Sequence, residues 1–150
     1  MDFYKSPRGP IIGAMRNSFS RGAIAKEVRR RAISNETGPR GGIMQVCAEC
    51  GKSFPPKEIQ VDHIETVVPL DMATDSISLD EYWSRLNCKK HWSDAEVNFN
   101  NLQALCANCH KDKTNFEKEI RKTNRKKRKD ELSMRNSDDK TGKKKRKTKV

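Results

Sequence analysis

Apolar residues are scarce in this chain: of 150 residues only 33% are hydrophobic and 6% aromatic, against 35% charged. Its length suits one compact domain rather than two. With so few apolar side chains, that domain must be smaller than the chain, because part of the sequence cannot bury enough surface to offset its ordering entropy. No stretch approaches the roughly 20 apolar residues of a membrane-spanning helix, and no apolar segment follows Met1 as in a secretory leader. Membrane association and secretion are set aside, and a soluble, cytoplasmic protein is expected. Acidic residues are in deficit too, 20 Asp and Glu facing 32 Lys and Arg for a net charge of +12. Such an excess points to an anionic partner, nucleic acid first, because Lys and Arg gain affinity by displacing counterions condensed on phosphates.

Without a leader, the five cysteines are not expected to form a disulfide framework, since a reducing compartment keeps thiols free. Metal ligation is the better explanation. Cys47 and Cys50 form one Cys-x-x-Cys pair; Cys106 and Cys109 form another after fifty-five intervening residues. A two-residue spacer lets two thiolates of one turn reach the same ion, and two such turns complete the tetrahedral sulfur set that Zn²⁺ accepts. Four cysteine ligands leave no open position, so the zinc is expected to be structural. Gly51 follows the first pair and supplies backbone freedom to the knuckle. Cys88 is left over as a free thiol without a role.

Three regions follow from composition. Residues 1–44 read as a basic arm punctuated by proline and glycine, Pro10, Gly13, Gly22, Pro39 and Gly41 among them. Its one periodic stretch, Ser20 to Ile33, predicts a short helix capped by Ser20, with Ile24, Val28 and Ile33 on one side and Arg29, Arg30 and Arg31 around it. Residues 45–118 carry the cysteines, a β-type run at Ile59–Ile64, and a polar insertion over 71–98. Within that insertion Ser78–Leu86 reads as a helical turn or two, with Trp83, like Trp92 beyond it, taken as a packing residue. Phe116 and Ile120, at i, i+4, are expected to start a final helix. Residues 119–150 form a basic tail, largely disordered or helical: from Arg121 onward fifteen Lys or Arg face four Asp or Glu, ending in a Lys143–Lys147 run. Arg29–Arg31, Lys126 and Lys127 are candidate phosphate contacts.

Asp62 and His63 sit together at the end of the apolar run, in Val61-Asp62-His63-Ile64, and His110 follows the last paired cysteine. Neighbouring strand residues point to opposite faces, so both can serve one centre only at a bend or irregular strand end. Taken singly, a His or an Asp is more often structural or solvated; their conjunction is what suggests chemistry. Together with the first knuckle, Val61–Ile64 and the stretch Asn101-Leu102-Gln103-Ala104-Leu105-Cys106-Ala107-Asn108-Cys109-His110-Lys111-Asp112-Lys113-Thr114, they resemble the HNH nuclease motif of the four-cysteine, zinc-containing members of that family, common in phage genomes. The resemblance covers about half of the chain, Cys47 to Thr114.

The resemblance implies a small α+β fold, a ββα-metal (His-Me finger) core braced by the structural zinc and flanked by basic helical or disordered extensions. It implies an endonuclease that nicks or cuts double-stranded DNA, with His63 as general base, Asp62 and His110 as ligands of one catalytic divalent ion (Mg²⁺, Mn²⁺ or Ni²⁺), and Asn101 as the residue that orients His63. Those roles make chemical sense. An unperturbed histidine, with a pKa of about 6.5, is a base near neutral pH; a carboxylate with an imidazole leaves a hard cation open positions for water and phosphate; and a short neutral amide can fix a ring without adding charge. Lys113 is a candidate phosphate contact. The long stretch between His63 and Asn101, with Cys88, His91 and Asp94, departs from the motif and reads as an elaborated loop. A second reading keeps the zinc and the basic segments without turnover, as a nucleic-acid-binding protein that would tolerate loss of His63. Monomer and homodimer both stay open.

Overall fold

The computed structural model describes residues 8–73 and 75–146, with side chains described as far as Arg135. The chain opens with two helices, α1 (Arg8–Arg21) and α2 (Ala23–Arg31), followed by strands β1 (Ile33–Thr37), β2 (Ile43–Val46), β3 (Ser53–Phe54) and β4 (Ile59–His63). Helix α3 (Leu79–Leu86), strand β5 (Leu102–Cys106) and helix α4 (Ala107–Arg146) complete it. The strands make two antiparallel sheets, β1-β2-β3 and β4-β5. The molecule is thus α+β, as expected.

The N-terminal region is not an arm. Phe19 of α1 and Ala25 and Val28 of α2 are buried in the same core as Ile59, Tyr82, Leu86 and Leu105, and α2 packs against β4 and β5. The predicted helix is shorter than Ser20–Ile33: Ser20 lies inside α1, and the N-cap of α2 is Gly22, which makes no side-chain cap. The close quarters at this corner account for the glycine, since a Cβ on Gly22 would lie 3.0 Å from the Ser18 carbonyl oxygen. Pro10 fits α1 because it falls in the first turn, where backbone N–H groups have no partner within the helix. Ile33 belongs to β1 and is exposed. The expected boundary at residue 44 falls inside β2 and the one at 118 inside α4, so neither breaks the secondary structure. Residues 1–7 of the expected arm lie outside the described residues.

The β4–β5 pair positions the candidate site. Its register runs from Ile59 opposite Cys106 to His63 opposite Leu102, so the end of β4 lies at the mouth of the long excursion to β5. The Ile64 amide donates to the Asn101 carbonyl at 2.9 Å and closes that mouth. Within the excursion α3 forms where its sequence calls for it: the Ser78 hydroxyl accepts from the Glu81 amide, Asp80 and Glu81 occupy the first turn, and Tyr82 and Leu86, at i, i+4, face the core. Trp83 packs against the core, but Trp92 is exposed and lies against the His91 ring.

Helix α4 starts earlier than Phe116, at Ala107, directly from β5. Phe116 is 68% exposed and does not anchor it. What ties the middle of α4 down is polar. Arg121 donates to the carbonyls of Val68 and Pro69, Asn124 to that of Leu70, and Arg128 to that of Asp71. These residues share one helix face, and they fasten the loop after β4 to the helix. Of the two states expected for the tail, the helical one extends to Arg146; Lys147, the last residue of the basic run, lies outside the described residues.

Candidate metal centre and active-site cleft

The two Cys-x-x-Cys turns meet. One sulfur from each of Cys47, Cys50, Cys106 and Cys109 lies within 4.8 Å of the others, and none is disulfide-bonded. Sulfurs about 2.3 Å from a tetrahedral zinc lie about 3.8 Å apart, so the cluster is compatible with a metal site of that kind. The first knuckle turns because Gly51 adopts φ +69, and its amide donates to the Cys47 carbonyl at 2.9 Å. The Ala48 amide donates to the Ala104 carbonyl, docking the knuckle on β5. Cys106 ends β5 and Cys109 sits in the first turn of α4. The surroundings act in opposite directions on two of the thiols. Burial disfavours a charged sulfur at Cys47, but backbone N–H groups of Cys50, Cys106 and Glu49 overcome that and bring its thiol down to about 6. Cys109, hydrogen-bonded to Cys106 and facing the other sulfurs, is pushed up to about 12.

One turn away, Asp62, His63, His110 and Lys113 line a single cleft of about 390 Å³. Asp62 reaches the first turns of α4: its Oδ1 lies 3.8 Å from His110 Nε2, while its Oδ2 accepts from Lys113 Nζ at 2.7 Å and from Gln103 Nε2 at 3.2 Å. Two donors each about 2.1 Å from a shared ion lie about 3–4 Å apart, and the Oδ1–Nε2 gap falls in that range. His63 faces the other way, toward α1 and α3. Its ring lies 5.1 Å from that of Phe19, and its Nε2 is 2.8 Å from the Leu86 carbonyl oxygen. A carbonyl only accepts, so Nε2 carries the hydrogen and Nδ1 keeps its lone pair. Burial against this apolar wall lowers the His63 pKa. The Leu86 carbonyl and Asp62 oppose that shift, and Lys113 adds to it.

Comparison with protein-family models, with curated proteins and with solved structures gives no match to this chain. What the site can do therefore rests on its geometry.

One sequence expectation needs correction, and other candidate residues have partners within the chain. Asn101 does not touch the His63 ring. Its Oδ1 accepts from the Glu65 amide at 2.7 Å and its Nδ2 donates to Cys88 Sγ at 3.8 Å, so it shapes the backbone just past His63. The ammonium of Lys113, a candidate phosphate contact, is shared by Asp62, Glu117 and the His63 carbonyl. Burial disfavours its charge, but the hydrogen bonds to Asp62 and Glu117 prevail and its pKa rises. On α2, Arg30 and Arg31 both pair with Glu27, whose carboxyl those bonds hold down to about 2. Arg31 also covers the Phe99 ring at 4.0 Å, and Arg29 donates to the Ser20 carbonyl. Lys126 and Lys127 are exposed on α4.

Some members of the site carried no sequence signal. The Leu86 carbonyl is backbone and looks the same in every sequence; Leu86 itself reads only as an apolar position of α3. Phe19 lay in what read as an arm. Cys88, unassigned by sequence, is buried and holds φ +54, a conformation that costs a non-glycine residue energy. Its thiol pKa is raised by burial.

Proposed function

We propose that this chain is a metal-dependent endonuclease of the HNH type that hydrolyses phosphodiester bonds of double-stranded DNA. The observation that carries the reading is the pairing, in one cleft, of a histidine whose Nε2 is committed to a carbonyl with an Asp62–His110 donor pair 3.8 Å apart. On this reading β4, β5 and the start of α4 are the ββα-metal core, and the four cysteines hold a structural zinc that fastens the knuckle to the root of α4. Asp62 and His110 would hold one divalent ion, which when bound supplies charge stabilisation to the phosphoryl oxygens.

The chain's own residues then perform the rest. His63 Nδ1, neutral at physiological pH, takes a proton from the attacking water, and the Leu86 carbonyl stabilises the resulting imidazolium through Nε2. Lys113 and Gln103 hold Asp62 Oδ2, leaving Oδ1 directed toward His110. Phe19 keeps bulk water off the ring, and Asn101 fixes the backbone at Glu65 so that β4 ends where the base is needed. The basic surface supplies phosphate contacts that position the duplex without reading its sequence.

Nicking of supercoiled plasmid, with and without Mg²⁺, Mn²⁺ or Ni²⁺, tests the reading. Wild type is expected to nick with at least one of these ions, and His63→Ala to lose about a hundredfold or more of the rate while still binding DNA. Binding without nicking under every ion, or equal nicking by the variant, would leave a zinc-stabilised nucleic-acid-binding protein as the function.

A further inference from the structure

Three cations border the cleft: Arg16, Lys113 and Arg121. Two of them are already engaged. Lys113 is shared between Asp62 and Glu117, and the terminal nitrogens of Arg121 donate to the carbonyls of Pro69 and Val68. Arg16 differs. Its Nε donates to the Tyr82 hydroxyl at 2.7 Å, and among the described residues no hydrogen bond or ion pair uses its Nη1 or Nη2. Tyr82 is 1% exposed and rooted in the core of α3, so the phenol is a fixed post. An arginine held by Nε alone presents its remaining planar edge, the one that forks onto phosphate oxygens.

The place of that guanidinium follows from α1. Arg16 and Phe19 are three residues apart on one helix face, and Phe19 lies against the His63 ring. Arg16 therefore stands one turn along from the residue that covers the base, on the wall of the same cleft, and its side chain is exposed.

We propose that Arg16, aimed by the Tyr82 hydroxyl, grips a DNA phosphate at the cleft, so that α1 forms part of the substrate site. The inference rests on the nuclease reading for its substrate. The competing role is purely structural, with the Arg16–Tyr82 bond doing no more than tether α1 to α3. Salt dependence separates the two, since a tether neutralises no phosphate and releases no counterion.

The test uses the full chain and its Arg16→Ala, Arg16→Lys and Tyr82→Phe variants. Binding to two fluorescein-labelled duplexes of unrelated sequence is titrated against salt without added divalent ion, and plasmid nicking is measured in parallel. Arg16→Ala is expected to weaken binding equally on both duplexes and to reduce the slope of log affinity against log salt by about 1. Arg16→Lys and Tyr82→Phe keep the charge, and so the slope, but lose the aim; each is expected to nick about tenfold more slowly. An unchanged slope in Arg16→Ala overturns the proposal. Should that variant fail to fold, wild-type nicking rates in both charge-preserving variants overturn it equally. Wild type that binds but never nicks sinks the nuclease reading alone, because the slope still reports the phosphate contact; wild type that binds neither duplex sinks both.

Discussion

At His63 the decisive feature is the nitrogen that keeps its lone pair. Because the ring is half-buried between Phe19 and α3 and its pKa is lowered, the imidazolium is disfavoured and the neutral ring survives to lower pH than in a free histidine. On the proposed nuclease reading protonation removes the base, so nicking is expected to fall on the acid side, beginning below the ordinary value of about 6.5. A pH–rate profile measured at fixed ionic strength is expected to drop about tenfold per unit there; an acid limb centred above that value would contradict the burial account. Asp62, His63 and His110, which line one cleft, stood out in the sequence because few side chains can bind a cation or accept a proton near neutral pH. Their partners were not legible. Leu86 acts through its backbone, and Asn101 acts on the Glu65 amide rather than on the ring it was expected to orient, a choice that depends on the register of β4 against β5.

Among the elements, the two knuckles and the root of α4 stand or fall together. Cys106 closes β5, Cys109 lies in the first turn of α4 and His110 is its neighbour, so a metal held by the sulfurs also fixes the imidazole. Mass spectrometry under native conditions is expected to find one zinc per wild-type chain and less than that in Cys106→Ser. Strong chelators should lower the melting temperature by at least several degrees, since ligation of this kind contributes to folding itself. A protein that melts identically with and without chelator, and carries no zinc, would refute a structural ion. The cysteine spacing, the strand at Ile59 and the Ser78 start of α3 could all be read in sequence, because each is a local signal: paired thiols, an apolar run, a capping hydroxyl before two acids. Helix α1 could not. Pro10 and Gly13 read as breakers, and the burial of Phe19 against a histidine 44 positions later is a tertiary contact with no periodic trace. Phe116 misled in the opposite sense, being apolar at helical spacing yet exposed, while Arg121, Asn124 and Arg128 fasten α4 through carbonyls.

For the molecule as a whole, basic residues outnumber acidic ones, 32 to 20. Among the described residues no helix is long and apolar enough to cross a membrane, and the net charge of +12 is concentrated toward the C-terminal end. Ending the chain after Arg135 removes seven Lys and Arg with two Asp. Binding to duplex DNA is then expected to weaken in a sequence-independent way and to become less sensitive to salt, with little change in melting temperature because the core lies in the segments before Phe116. Fluorescence anisotropy at two salt concentrations checks this, and equal salt sensitivity in both forms would show that the end of the chain makes no phosphate contacts. The long excursion from Ile64 to Asn101 has a consequence for modularity. Its ends are stitched together at the hairpin mouth, so a shorter substitute could span the gap and keep the strands and the four clustered cysteines. Yet that substitute would take Leu86 with it, and His63 would be free to carry its proton on either nitrogen. The excursion between β4 and β5 is thus what would select the tautomer of the proposed base.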